Sequence, residues 1–238
     1  MKGQRIKSLR QHIIKFAAGI QYFSISELRK DIDQAGVSYT SSSLKQTLYS
    51  LKKNGHIHNS GRGWYSTISE PFHLNTEAIT GTVSLLKTHF PSLPFACWST
   101  QQIASYFHHL PGKFITFIDA ENAALPSVYD FLIEHYSNVY LNPTPNEARK
   151  NFRIMDDTLV LRPAVSEEPR KDRFALIEKI LVDLYFEKER LDIIDGWEYG
   201  RIFENVAKHF RIEIAVLLRY AQRRKIRPVI IKMLTNGT

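Results

Sequence analysis

The sequence predicts an α+β fold, and three observations predict it. Helical periodicity fills the first fifty residues, short apolar runs alternate with helical stretches from about residue 76 to residue 161, and the chain from Arg173 onward reads as helix. The chain has 238 residues, 43% of them hydrophobic, which is ordinary for a globular protein and excludes collagen, coiled coil and wholesale disorder. A single cysteine, Cys97, rules out an intramolecular disulfide and fits a reducing cytosol. Lys2, Arg5, Lys7 and Arg10 open the chain, but Lys15 interrupts the apolar stretch that follows, so no signal-peptide core is expected. No run approaches the roughly 18 apolar residues of a membrane span, and a cytoplasmic chain without a membrane partner is the expectation.

Element by element, Ile6, Leu9, Ile13 and Phe16 recur at steps of three and four, which predicts a first helix ending near Gly19. Ser24 and Glu27 form an S-x-x-E capping box ahead of a second helix with Ile25, Leu28 and Ile32 on one side, closed by Ala35-Gly36. A third helix is predicted over 42–53 with Leu44, Leu48 and Leu51 inward, stopped by Asn54-Gly55. His56 to Ser60 and Trp64 to Thr67 then read as two short strands around Gly61-Arg62-Gly63. Three short helices followed by a hairpin predict a winged helix-turn-helix over 1–70.

With Leu44 as zero and about 100° per residue, Ser42, Gln46, Tyr49 and Lys53 fall near the opposite side, at about 160°, 200°, 140° and 180°. This outward stripe has no carboxylate. Gln46 and Ser42 suit base edges, while Tyr49 and Lys53, flanked by Lys45 and Lys52, suit phosphates. Thr40 and Ser41 precede the helix where its first N–H groups can hold a phosphate, and Arg62 at the loop tip can enter a minor groove. Charge agrees: residues 1–70 hold 11 Lys+Arg against 4 Asp+Glu, a balance of +7, beside −4 over 71–168 and +5 over 169–238. A basic patch attracts polyanions, so double-stranded DNA is the expected partner.

Periodicity lapses between Thr67 and Asn75 around Pro71, which places a boundary there. A helix is predicted from about Thr76 to Phe90, then strands at Phe95–Trp98, Phe114–Ile118, Val139–Leu141 and Thr158–Leu161. Ser99 with Gln102, and Thr144 with Glu147 and Pro145, read as helix starts. The alternation predicts an α/β domain over 71–168 with a small sheet, mainly parallel or mixed. Residues 169–238 are expected as a helical extension packed on it, through Phe174, Ile177, Ile180, Leu181 and Leu184, then Trp197 to Phe210, then Ile214, Leu217, Leu218 and Ala221. Five Arg/Lys among residues 219–227 (Arg219, Arg223, Arg224, Lys225 and Arg227) offer an auxiliary basic patch or a helix end favoured by the helix dipole.

Catalytic signatures are few. Asp119-Ala-Glu121 follows an apolar run, and carboxylates at i and i+2 of a strand point the same way and can share a divalent ion, as in a nucleotidyltransferase. The Gly-Ser phosphate cradle of such enzymes has no equivalent at Ser99-Thr100. Cys97 with His108-His109 is a conceivable nucleophile pair, and His56-x-His58 two imidazoles without a further ligand; C-x-x-C, P-loop, G-x-G-x-x-G and G-x-S-x-G are all missing. The expectation is a protein without catalytic residues, metal or cofactor. Alternatives are an active or degenerate nucleotidyltransferase using Asp119 and Glu121, and a protein-interaction adaptor.

The order of several segments resembles a known family. Phe95-Ala96-Cys97-Trp98-Ser99-Thr100, then His109-Leu-Pro-Gly-Lys113-Phe-Ile, then Asn138-Val-Tyr-Leu-Asn142-Pro after the N-terminal helices is similar to AbiEi-like antitoxins and their uncharacterised bacterial relatives. So are Ile177-Glu-Lys179-Ile-Leu-Val-Asp183-Leu and Leu218 through Arg224. The resemblance spans about residue 20 to 225. It implies a bacterial antitoxin and transcriptional autorepressor of a type IV toxin–antitoxin system, bound to operator repeats, its functional partner a nucleotidyltransferase-like toxin countered by the second domain.

Overall fold

A computed structural model describes residues 2–236 and the side chains of 9–235. Ile6, the first member of the expected helical stripe, lies outside the described side chains, as do Lys2, Arg5 and Lys7. The fold is α+β and divides into two units. One is Met1–Phe72 with Val206–Arg219 and Arg227–Thr238, and the other is His73–Asn205 with Tyr220–Ile226.

In the first unit the chain runs α1 (Lys2–Ala17), β1 (Tyr22–Ser24), α2 (Ile25–Gln34), α3 (Ser41–Lys53), β2 (His58–Asn59) and β3 (Trp64–Ser66). Leu9 and Ile13 of α1, Leu28 and Ile32 of α2, and Leu44, Leu48 and Leu51 of α3 meet in one buried core with Phe23 and Ile57. The expected capping box is present: Ser24 Oγ accepts from Glu27 N, and Glu27 Oε2 accepts from Ser24 N at 2.7 Å. The strand β1, too short for any two-residue period to announce it, pairs antiparallel with β3, giving the order β1-β3-β2. The hairpin is shorter than expected because His56 N donates to Leu51 O in the turn that follows α3, so His56 and Ile57 lie in that turn and its bend instead of entering β2.

Unit one is completed from the C-terminal part of the chain. Arg211 N donates to Glu70 O at 2.6 Å, Phe72 N to Arg211 O, and Ala215 N to Ser60 O, while Ser60 Oγ donates to Ile212 O and Ile212 N donates to the Tyr22 hydroxyl. The expectation that 169–238 packs as one block on the α/β domain is therefore corrected. The backbone groups of 60 and 70–72 find their partners in 211–215, and buried backbone polar groups must be paired.

The second unit contains α4 (Glu77–His89), β4 (Phe95–Ser99), β5 (Ile115–Ala120), α5 (Leu125–Ile133), β6 (Asn138–Leu141), α6 (Pro145–Asn151), β7 (Thr158–Pro163), β8 (Arg170–Lys171), β9 (Phe174–Ala175) and α7 (Ile177–Arg190). Its sheet is mixed, ordered β6-β7-β5-β4-β9-β8, with β5, β6 and β7 mutually parallel and β4 antiparallel to β5. The β4–β5 reversal has a local cause. Ser99 and Gln102 do form a capping box, but they open a 3-10 helix (Thr100–Tyr106) in place of the expected α-helix, and parallel pairing needs a crossover. A second correction concerns Arg173 onward: Phe174 lies in β9, paired with Cys97 of β4, and helix starts only at Ile177. On one face of the sheet Phe95, Cys97, Ile118, Ala120, Leu159 and Leu161 pack with Ile79, Val83 and Leu86 of α4 and Leu125, Val128 and Leu132 of α5. The alternate residues, Asp119 and Arg162 among them, turn to α7. Two further helices, α8 (Gly196–His209) and α9 (Ile214–Arg223), precede α10 (Arg227–Asn236), which the sequence reading did not anticipate. Among the described residues no helix is long and apolar enough to cross a membrane.

Candidate functional site

The α3 helix has one face in the core and one in solvent. Leu44, Thr47, Leu48 and Leu51 are buried, while Ser42, Lys45, Gln46, Tyr49, Lys52 and Lys53 are exposed, Tyr49 at 63%. An exposed tyrosine of that degree is unusual for a side chain with so much apolar area. At the amino end Thr40 is the N-cap: its Oγ1 accepts from Ser43 N, and Ser43 Oγ accepts from Thr40 N at 2.9 Å. Ser41 and Ser42 follow as exposed first-turn residues, so only small hydroxyl side chains stand beside the first turn. Lys52 and Lys53 occupy the last turn, where the helix dipole favours cations.

Arg62 lies exposed at the tip of the β2–β3 turn, between Gly61 (φ 94°) and Gly63 (φ 77°). The base of that turn is fixed, since Trp64 N donates to Gly61 O and Ser60 N to Trp64 O. Of the suggested auxiliary patch, Arg219 and Arg223 are exposed, Arg223 pairing with Glu167 at 2.6 Å, while Arg224 lies with its Nε 3.5 Å from Asp183 and its guanidinium over the Phe186 ring.

Asp119 and Glu121 part company. Asp119 is 6% exposed at the end of β5, whereas Glu121 is exposed beyond it at the entry to a 3-10 turn, so they do not form the paired carboxylates expected of a strand. The cation beside Asp119 is Lys179, fully buried on α7 with its Nζ 3.1 Å from Asp119 Oδ2, 2.5 Å from Asp183 Oδ2 and 3.2 Å from Glu168 Oε1. The Tyr220 hydroxyl, 3.3 Å from Nζ, donates in turn to Asp183 Oδ1. Burial pulls the Lys179 pKa down, but Asp119, Asp183, Tyr220 and Glu168 outweigh it and hold it well above the usual lysine value. An amine so held stays protonated and is no nucleophile. Burial pushes Asp119 up to about 7, opposed by Lys179 and assisted by Asp183 and Glu168. One turn further along α7, Glu187 takes a two-point pair from Arg162 of β7, at 3.0 and 2.5 Å. Among the described residues no three His, Cys, Asp or Glu side chains are grouped to hold a metal.

Cys97 is fully buried, and burial followed by the Asp119 charge pushes its thiol up, so it stays neutral. His108 and His109 are exposed and belong to a different segment, their rings stacked edge-on near Trp197. His56 lies outside the strand that holds His58.

Lys179, Asp183, Glu187, Arg162 and Glu168 were not singled out for chemistry from the sequence. A signal was there: Ile177 to Leu184 is apolar on every side of the helix, and Lys179, Asp183 and Glu187 are spaced i, i+4, i+8 along it and the turn that follows. Charges inside a helix buried all round must find partners. No curated protein is significantly similar to the chain. A family model described as a family of unknown function (DUF6577) matches residues 43–238, from within α3 to the end, and the chain belongs to that family.

Proposed function

We propose that the chain is a DNA-binding transcriptional regulator, that its first unit is a winged helix-turn-helix, and that α3 is the helix inserted into the major groove. One observation carries the reading: the outward side of α3 is open and carries Ser42, Lys45, Gln46, Tyr49, Lys52 and Lys53 without a carboxylate, while its other side is core. The element order of the unit, helix-strand-helix-helix followed by a hairpin, and its β1-β3-β2 sheet support it. Gln46 and Ser42 read base edges, Lys45, Lys52, Lys53 and Tyr49 hold phosphates, Thr40 and Ser41 place the helix amino terminus by the backbone, and Arg62 reaches the adjacent minor groove. The mechanism is occupancy of a site, without catalysis.

The resemblance to AbiEi-like antitoxins extends the proposal: an autorepressor of a type IV toxin–antitoxin pair, bound to operator repeats upstream of its own gene and opposing a nucleotidyltransferase-like toxin. Fluorescence anisotropy with a duplex from upstream of the gene, and with a scrambled duplex, tests the DNA reading. Tighter binding of the first, weakening steeply with salt in proportion to the phosphates neutralised, is the expected result. Equal or absent binding of both would overturn it. Co-expression with the product of the neighbouring gene tests the antitoxin part, which requires growth arrest by that product and relief by this chain.

A further inference from the structure

The second unit holds a cavity that the DNA reading does not use, between α6 and the end of α7 with the loop that follows it. Its volume of about 680 Å³ suits a small organic molecule. The floor is apolar: Ala148 of α6, its C-cap Phe152, and Leu191 and Ile194 of the loop are all buried. The rim is charged. Arg149, Arg153, Lys188 and Arg190 stand there against Glu189, Asp192 and Asp195, four cations to three carboxylates.

Most of these charges are already engaged. Lys188 Nζ lies 2.6 Å from Glu189 Oε1 and over the Tyr185 ring, Asp195 Oδ1 accepts from Glu198 N at the start of α8, Arg149 Nη2 donates to Asn146 Oδ1, and Arg153 Nη1 donates to the Phe152 carbonyl. Arg190 differs. It sits partly buried in the last turn of α7, its Nη1 3.6 Å from Glu187 Oε1, too far for a hydrogen bond, and both Glu187 oxygens already accept from Arg162. Among the described residues its guanidinium donates to no acceptor, although it carries five N–H groups in a planar fork that matches a carboxylate or a phosphate. Burial draws the Arg190 pKa down, opposed by Glu187, with Arg162 and Arg224 adding to the fall, so the charge is only partly compensated where it sits. An oxyanion placed there receives charge-assisted hydrogen bonds, and the apolar floor beside it removes a hydrocarbon body from water.

We propose that this cavity binds a small organic anion, an apolar body ending in one carboxylate or phosphate, with the anionic group on the Arg190 fork and the body on Phe152, Leu191 and Ile194. Arg149 and Arg153, exposed on the α6 side, add attraction across the rim, and the exposed Asp192 opposes it. An organic cation meets three guanidiniums, and an inorganic anion leaves the floor uncovered. The proposal stands independently of whether α3 binds DNA, since every residue it uses belongs to the second unit.

Calorimetry on the full chain with octanoate, octyl phosphate, octylamine and inorganic phosphate tests the proposal. Saturable binding of at least one of the two octyl anions is expected at submillimolar concentration, the tighter of them identifying the anionic group, with octylamine and inorganic phosphate each at least about tenfold weaker. Arg190→Gln is expected to weaken the tighter anion by at least about tenfold, Arg190→Lys by less, because it keeps the charge and loses the fork, and Asp192→Asn to tighten it by about twofold. No saturable binding of either octyl anion at millimolar concentration would overturn the proposal, as would octylamine or inorganic phosphate binding as tightly as the octyl anions, or an affinity that Arg190→Gln leaves unchanged. Should Arg190→Gln fail to fold, the order of the four ligands on the unaltered chain and the direction of the Asp192→Asn change decide.

Discussion

At Gly61 the backbone combines a left-handed φ with a near neighbour, since a Cβ built there meets Ala215 Cβ at 2.6 Å. Gly61→Ala is therefore expected to lose about 1–3 kcal/mol in urea denaturation, from strain and overlap together. Lys179 makes the opposite kind of demand. Lys179→Met leaves Asp119, Glu168 and Asp183 buried without their ammonium, and a loss of about 3–5 kcal/mol is expected, measurable as a large fall in Tm at pH 8. For Asp119 the sign follows from a carboxyl whose folded pKa is raised from 3.8 to about 7. The folded state holds a proton that the unfolded chain releases between those values, so this group's contribution is fully present below pH 4 and is lost as pH rises through 7. Asp119→Asn removes that dependence, and its Tm relative to the unaltered chain should rise between pH 4 and 7 and then level off. A flat difference across that range would show that Asp119 is not raised.

At the scale of the element, α3 separates stability from recognition along one rod. Thr40→Ala removes the N-cap hydroxyl and should cost about 1 kcal/mol, while Leu48→Ala opens a cavity in the core and should cost about 2–4 kcal/mol. Changes on the other side are expected to leave denaturation nearly unmoved and to act on DNA. Gln46→Ala should reduce the difference between cognate and random duplex, whereas Lys52→Ala should weaken both alike and lower the salt slope by about one. Equal losses on both duplexes for both variants would reverse the assignment of base reading to Gln46. The α7 helix is built differently, with charged partners on the turns where α3 has solvent. Its leucines and isoleucines were readable as a helical stripe, but Lys179, Asp183 and Glu187 take their meaning from Asp119, Glu168 and Arg162, distant in sequence.

At the scale of the molecule, the first unit is not a continuous stretch of chain. Residues 1–72 without 206–219 lose the groups that Tyr22, Ser60, Glu70 and Phe72 bond to, and such a fragment is expected to melt well below the full chain and with lower cooperativity by circular dichroism. Equal Tm values for fragment and full chain would show that the C-terminal residues add nothing to the unit. Local chemistry made many elements legible beforehand: the Ser24–Glu27 and Thr144–Glu147 boxes, the leucine stripe of α3 and the apolar runs of β4, β5, β6 and β7 all occur where the sequence predicts them. Caps and periodicities act over three or four residues and need no distant partner, which is why they can be read from the chain alone. The strands β1, β8 and β9, of two or three residues, exist only because a partner strand supplies their hydrogen bonds, and no period can announce them. By itself, then, the sequence determined most of the helices, most strands of the larger sheet and which side of α3 carries cations. Only tertiary structure decided that Asp119 meets an ammonium instead of Glu121, that β4 runs against β5, and that 206–219 serves the first unit, because burial and long-range hydrogen bonding set each of these, and both depend on residues far apart in the chain.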